Sequence, residues 1–194
     1  MADVIRHEIP QDKGSLVGND DSLGAIDTGK LNVTFHHNAH IVVRQRTPRM
    51  RFGNAHVYNM FVDDTASAAY SGTQTAVNST ANAAVLVENS DFLEVKTPFA
   101  YSTGGRLAQR GSRWNYGGVP VDIDPSRLNP ADPAALVWNQ PLAFPWPDLT
   151  TVPYAYTLDA VDYTQSHLGQ VGALTPADPV DEALLRSYLP MTVH

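Results

Sequence analysis

The chain contains no cysteine. Disulfides, thiolate nucleophiles and zinc–thiolate sites are therefore excluded, although the absence does not fix a compartment. Charged residues are few, at 17%. No apolar run approaches the roughly 20 residues that span a bilayer. Residues 1–10 carry Asp3, Arg6, His7 and Glu8 and no apolar h-region, so they do not read as a signal peptide. The net charge of −7 disfavours a general nucleic-acid binder. Against these absences stand 194 residues with 43% hydrophobic content, enough for one domain with a sizeable core.

From about Asp12 to Phe99 the chain reads as short strands between polar turns, and no long stretch has helical period. Candidate strands are Lys30–His36, Ala55–Val62 and Ala83–Val87, each rich in Val, Phe or Tyr with clear alternation. The strands share an ending. Asn38, Asn59 and Asn89 each close one, and Asn115 closes a weaker fourth copy. One strand and turn recurring every 20–30 residues predicts a solenoid, with Asn at a repeated left-handed turn. An antiparallel sheet with polar turns fits the pattern equally well.

Beyond Tyr116 the character changes. More than half of the chain's 14 prolines lie between Tyr116 and Pro153, together with Trp138 and Trp146. Regular elements are not expected there. The apolar content suits an extended, wrapping segment whose tryptophans pack on the outside of the β domain. Ala155–Val171 resembles a short amphipathic element. Asp181–Leu189, followed by Pro190, predicts a terminal helix.

The most informative stretch runs from His36 to Asn59, HHNAHIVVRQRTPRMRFGNAHVYN. Four of the 13 Lys and Arg residues fall between Arg44 and Arg51. Such a patch on an acidic chain predicts a local anionic ligand. Within it, Pro48 stiffens the backbone between Arg46 and Arg51. Two guanidinium groups flanking that proline suit repeated carboxylates, which arginine matches bidentately. His36 and His37 are neighbours on a predicted strand and should point to opposite faces, which disfavours a shared metal ion. These histidines, His40 and His56 are expected to be structural.

The order H-H-N, R-x-P-x-x-R-x-G, H-x-Y-N resembles the polysaccharide lyases of the pectate lyase superfamily (polysaccharide lyase family 1 type). Asp12–Gly18 resembles that family's D-K-x-x-L-I-G segment, and Asp27–Leu31 its D-T-G-K-L segment. Val85–Asn89 with Phe92 and Pro98 resembles its next coil, and Tyr154-x-Tyr156-x-Leu158-Asp159 its C-terminal segment. The resemblance covers about residues 12 to 175. Residues 1–11 do not resemble the family's preceding strand. Thr80 stands where an arginine is frequent, and Met60 where a second Asn is common.

The resemblance implies an all-β, right-handed parallel β-helix. Residues 12–115 would form its coils, within a single domain spanning 1–194, and residues 116–194 would pack on them as an extended C-terminal segment. It implies cleavage of α-1,4-linked polygalacturonate or pectin by β-elimination, giving 4,5-unsaturated products. Arg46 falls at the catalytic arginine, Arg51 at the second, substrate-binding arginine, and Lys13 at the lysine that pairs with a uronate carboxylate. It further implies calcium on the substrate carboxylate, a secreted monomer, and no nucleic-acid or membrane partner. The family's metal carboxylates lie on coils before the lysine segment, so none is assigned here, Asp20, Asp21 and Asp27 included.

A guanidinium is an unusual base, because its ordinary pKa lies far above the neutral range. A like charge about 4 Å away at an effective dielectric of about 20 opposes protonation by about 4 kcal/mol. Arg44, Arg49, Arg51, Lys13 and a bound cation are placed to supply that pressure, which predicts an alkaline optimum. The alternative is a non-catalytic β-helix that only holds acidic polysaccharide.

Overall fold

A computed structural model describes residues 4–65, 75–121, 123 and 152–168. Trp138, Trp146, most of the proline-rich stretch and the expected helix over 181–189 lie outside the described residues.

The strands follow one another in coils. β1 (Val4–Gln11) is followed by β2 (Leu16–Val17), β3 (Asn32–His36) and β4 (Ala39–Val43). The next coil contains β5 (Arg49–Arg51), β6 (Asn54–Tyr58) and β7 (Phe61–Asp63). Then come β8 (Thr75–Thr80), β9 (Ala84–Glu88) and β10 (Asp91–Leu93), and after them β11 (Thr97–Tyr101), β12 (Arg106–Arg110) and β13 (Arg113–Tyr116). Every third strand joins the same sheet, giving β2-β5-β8-β11, β3-β6-β9-β12 and β1-β4-β7-β10-β13 in spatial order. All of these neighbours pair in parallel. Only β14 (Val119–Pro120) turns back, pairing antiparallel with β13. This is a parallel β-helix of three sheets, and the antiparallel alternative is set aside. Residues 4–11, which do not resemble the family's preceding strand in sequence, nonetheless form one, in register with β4.

Alternation explains the strands. Val33 and Phe35 of β3, Ala55 and Val57 of β6, and Val85 and Val87 of β9 all reach one core. His56 lies on the opposite face of β6, between Ala55 and Val57, and Glu88 on the opposite face of β9, just past Val87. In the third sheet His40, Val62, Phe92 and Trp114 stack in register inside the coil. His40 is 1% exposed, and its Nδ1 has no hydrogen-bond partner among the described residues. Desolvation pushes its pKa down to about 4, so it is held neutral.

The repeated turn is real, but its occupants differ from those expected. The left-handed corner between the second and third sheets is held by His37 (φ 56°), Asn59 (48°), Asn89 (40°) and Gly111 (64°). Backbone N–H groups stack these corners: His37 N donates to Tyr58 O at 3.2 Å, Asn59 N to Glu88 O at 3.1 Å, and Asn89 N to Arg110 O at 2.9 Å. Asn38 lies one residue past its corner, and Asn115 lies inside β13 opposite Leu93. The corner at Asn59 also splits the expected strand over 55–62 into β6 and β7.

Residues 152–168 cross the outer face of β6 and β9. This strap is extended except for one helical turn, α2 (Tyr163–Ser166), rather than an amphipathic element throughout. Asn59 Nδ2 donates to Asp159 O at 2.9 Å, and its Oδ1 accepts from Asp159 N at 3.0 Å. Asn89 Nδ2 donates to the same Asp159 carbonyl at 2.9 Å. The corner amides thus hold the strap as well as the turns. Glu88, 2% exposed, accepts from His56 Nε2 at 2.8 Å and Tyr156 OH at 2.6 Å, and pairs with Arg110 at 2.7 Å. His56 Nδ1 lies 2.7 Å from Tyr154 OH. Burial pushes the His56 pKa down despite Glu88, so the neutral ring donates from Nε2 and accepts at Nδ1.

The expectation that His36 and His37 diverge is corrected. His37 is the corner residue and not a strand residue, so strand alternation does not apply to it. The two Nδ1 atoms lie 2.9 Å apart, and His37 Nε2 lies 2.8 Å from Asp159 Oδ2. Both rings serve the strap and lie around the coil from the arginine block.

Candidate active site

Five residues, 44–48, turn the chain from β4 into β5. Arg46 adopts a left-handed backbone (φ 64°). That conformation costs an L-residue about 1–2 kcal/mol. Backbone bonds on both sides hold it. Gly14 N donates to Gln45 O at 2.9 Å and Ser15 N to Arg46 O at 2.7 Å from one coil. On the other coil, Thr75 O accepts from Arg46 N at 3.1 Å and Ala76 O from Thr47 N at 2.9 Å. Gly14 is required by this approach, because a Cβ there would lie 2.8 Å from Arg46 O. Thr47 is fully buried beneath the turn. Arg46 itself is half-buried, with an Nε that no described residue satisfies.

In β5, Met50 points into the core, so Arg49 and Arg51 share the outer face of the first sheet. Their surroundings differ. Arg51 is 9% exposed. Its Nε donates to Asp21, and its Nη1 to the carbonyls of Asn19 at 3.0 Å and Gly18 at 3.3 Å. Among the described residues Arg49 has no such partners, and its buried Nε is unsatisfied. Burial, then the charges of Arg51 and Arg46, push the Arg49 pKa down. The three guanidinium groups therefore repel one another across one surface.

Lys13 occupies the turn of the adjacent coil, half exposed, with Nζ 3.6 Å from Asp12 Oδ2. Asp12 also accepts from Gln45 Nε2 at 3.2 Å and faces Arg44 Nη1 at 3.7 Å. The Gln45 hydrogen bond leads the causes that lower its pKa. Lys13, Arg46 and Arg51, expected from the sequence, therefore lie on adjoining turns and strands at one corner of the coil. Asp12 was legible only as the neighbour of Lys13. The pairing of Asp21 with Arg51 was not legible, because a separate loop supplies it.

Asp64 closes the same corner one coil on, at 1% exposure. Burial, then the charge of Asp63, push its pKa up to about 7, against the pull of Arg44. Its linkage is opposite to that of His40. Neutral His40 contributes stability above pH 6.5 that is lost as pH falls towards about 4, about 3 kcal/mol. Protonated Asp64 contributes stability below pH 3.8 that is lost as pH rises towards about 7, about 4 kcal/mol. Relative to the unsubstituted chain, His40→Phe should gain stability as pH falls from 6.5 to 4. Asp64→Asn should gain it as pH rises from 4 to 7. Urea midpoints at pH 4, 5.5 and 7 check this, and curves parallel to that of the unsubstituted chain would contradict it.

Calcium needs six to eight oxygens, usually from several carboxylates. Among the described residues no three His, Asp or Glu side chains converge on a common point. Asp20 caps Ser22, Asp21 is taken by Arg51, and the buried Asp27 Oδ2 has no hydrogen-bond partner. The described residues do not fit a calcium cage.

Comparison with known proteins bears on the fold and the family. The profile of a family described as pectate lyase matches residues 7–119. Pectate lyase D of Dickeya chrysanthemi is 48% identical over 60 residues, which cover 30% of this chain and 15% of that protein. Probable pectate lyase A of Neosartorya fischeri is 30% identical over 161 residues, 82% of this chain and 40% of that protein. Among solved structures, a polygalacturonate lyase fused with a self-assembling amphipathic peptide superposes with a TM-score of 0.62 at 26% identity. It covers 84% of this chain and 38% of that one. The matched region is thus well under half the length of each of these relatives.

Proposed function

The chain belongs to the pectate lyase family, and from that premise we propose that it cleaves polygalacturonate by β-elimination with Arg46 as the base. The observation that carries this reading is the guanidinium of Arg46. It stands on a left-handed turn fixed by backbone bonds from both neighbouring coils, with no described residue occupying its Nε.

In this reading Lys13 and Arg51 orient uronate carboxylates, and Arg46 in its neutral form takes the proton at C5. The electron pair left behind forms the C4–C5 double bond as the C4–oxygen bond breaks, and the departing oxygen takes a proton from solvent. A guanidine acts as a base only in its neutral form, which supports an alkaline optimum. Arg51, anchored by Asp21 and two carbonyls, supplies charge and its remaining Nη2, and holds the loop 18–21 to the coil. Calcium on the substrate carboxylate, secretion and a monomeric state are carried from the family as parts of the same proposal.

One observation favours a second reading, a β-helix that binds acidic polysaccharide without cleaving it: among the described residues the carboxylates do not gather into a metal site. Ultraviolet absorbance of unsaturated product on polygalacturonate, with calcium and then with chelator, separates the readings. Product that disappears with chelator is the expected result. Binding without product selects the second reading. Product from methylated pectin, indifferent to chelator, would mark a calcium-independent pectin lyase.

A further inference from the structure

We propose that Arg49 is an additional substrate-holding arginine, whose free guanidinium sits beside Arg46 and receives the carboxylate of a uronate residue. This rests on the reading of the corner as a polyuronate site. It assigns a role to a position between the two arginines of the R-x-P-x-x-R motif.

Strand geometry places the side chain. Met50 is fully buried in the core, so its neighbours on β5 project from the outer face. On that face Arg49 is in register with Leu16 on one side and Asn78 on the other. Leu16 is 42% exposed, so the row is open to a ligand on that side. Asn78 is half-buried, and its Oδ1 has no hydrogen-bond partner.

Hydrogen-bond bookkeeping separates the two outward arginines. Arg51 spends Nε and Nη1 on Asp21, Asn19 and Gly18. It is committed before any ligand arrives. Among the described residues Arg49 has no ion pair, and its Nε is both buried and unsatisfied, as is that of Arg46. A buried donor without an acceptor is costly, and a planar guanidinium matches a carboxylate in a two-bond fork. The positive charges of Arg46 and Arg51 already press on Arg49. An anion placed against the outward guanidinium of Arg49 relieves that repulsion. The chemistry selected is a carboxylate on a rigid, repeating frame, present in unesterified polyuronate and lost when the acid is methylated.

The test compares Arg49→Gln and Arg49→Lys with the unsubstituted full-length chain, measuring binding of unesterified oligogalacturonate by calorimetry and KM and kcat on polygalacturonate. Arg49→Gln should weaken binding and raise KM by about 10- to 100-fold, the worth of a charged hydrogen-bonded pair. The change in kcat should be smaller than the change in KM. Arg49→Lys, which keeps the charge but not the fork, should recover only part of the loss. On fully methylated pectin the two variants should bind like the unsubstituted chain. Unchanged affinity of Arg49→Gln for the unesterified ligand overturns the assignment, as does an equal loss on the methylated one. An unsubstituted chain that binds oligogalacturonate without cleaving it removes the eliminase reading and leaves the Arg49 comparison valid. One that neither binds nor cleaves removes both. Should Arg49→Gln melt more than about 5 °C lower, Arg49→Lys alone decides, and full affinity in it overturns the fork.

Discussion

Arg46→Lys is expected to slow formation of unsaturated product from polygalacturonate by at least about 100-fold, the lower end of what a positioned general base contributes. The substitution preserves one positive charge and most of the side-chain length, so substrate affinity should change far less than kcat. What it removes is the planar fork. The turn that carries residue 46 is set by backbone bonds to Gln45, Arg46 and Thr47 from both neighbouring coils, and these do not depend on the side chain. The melting temperature should therefore stay within about 3 °C. Separate measurement of kcat, KM and thermal unfolding checks the three parts. Near-normal kcat in the lysine variant would remove the base from position 46.

Glu88→Ala should produce the largest loss of stability. Glu88 is 2% exposed and gathers His56, Tyr156 and Arg110 on its two oxygens. Burial, then the bond to Glu88, push the Tyr156 pKa up to about 12, so the phenol stays protonated and donates. Removing one member of a buried charged pair typically costs about 3–5 kcal/mol. For a chain of 150–250 residues that corresponds to a fall in melting temperature of roughly 6–20 °C. The loss should be local first. Amide exchange in 152–168 should accelerate more than in β6 or β7, because the strap then depends on its remaining bonds, among them those to Asn59, Asn89 and His37. A variant with ordinary strap protection would contradict the assignment of Glu88 as the centre of this network. Glu88→Gln, which keeps one acceptor oxygen, should lose roughly half as much.

The sequence made the solenoid visible because the core is written in strand alternation. Val33 and Phe35, Ala55 and Val57, and Val85 and Val87 are in place in the primary structure, and one coil repeats the next. The corners were legible only approximately. Asn59 and Asn89 were found because asparagine suits a left-handed turn. His37 and Gly111, which hold the equivalent corners, have nothing in common with asparagine except backbone tolerance in context, so the sequence pattern points to Asn38 and Asn115 instead. The Ala55–Val62 run could not reveal its own break, because a one-residue corner leaves the hydrophobic count unchanged.

The corner around Arg46 shows the same division. The R-x-P-x-x-R spacing is local, and it marked Arg46 and Arg51. The partners that distinguish the two arginines come from other coils. Asp21 lies 30 residues before Arg51 and reaches it through a separate loop. No local pattern announced that Arg51 would be occupied while Arg49 stayed open. The strap posed a similar problem. Tyr154, Tyr156 and Asp159 follow a long proline-rich stretch, and their partners His56, Glu88, Asn59 and Asn89 are defined only once the coils are stacked.

Chemical rescue of Arg46→Gly on polygalacturonate tests the base most directly. Glycine accepts the left-handed backbone at 46 without strain, so the substitution leaves a gap where the guanidinium stood. Added methylguanidine should restore formation of unsaturated product in a saturable, pH-dependent manner, while methylamine at the same concentration should restore far less. Equal rescue by the two bases, or none by methylguanidine in a variant that still binds substrate, would contradict proton abstraction by a guanidine at this turn.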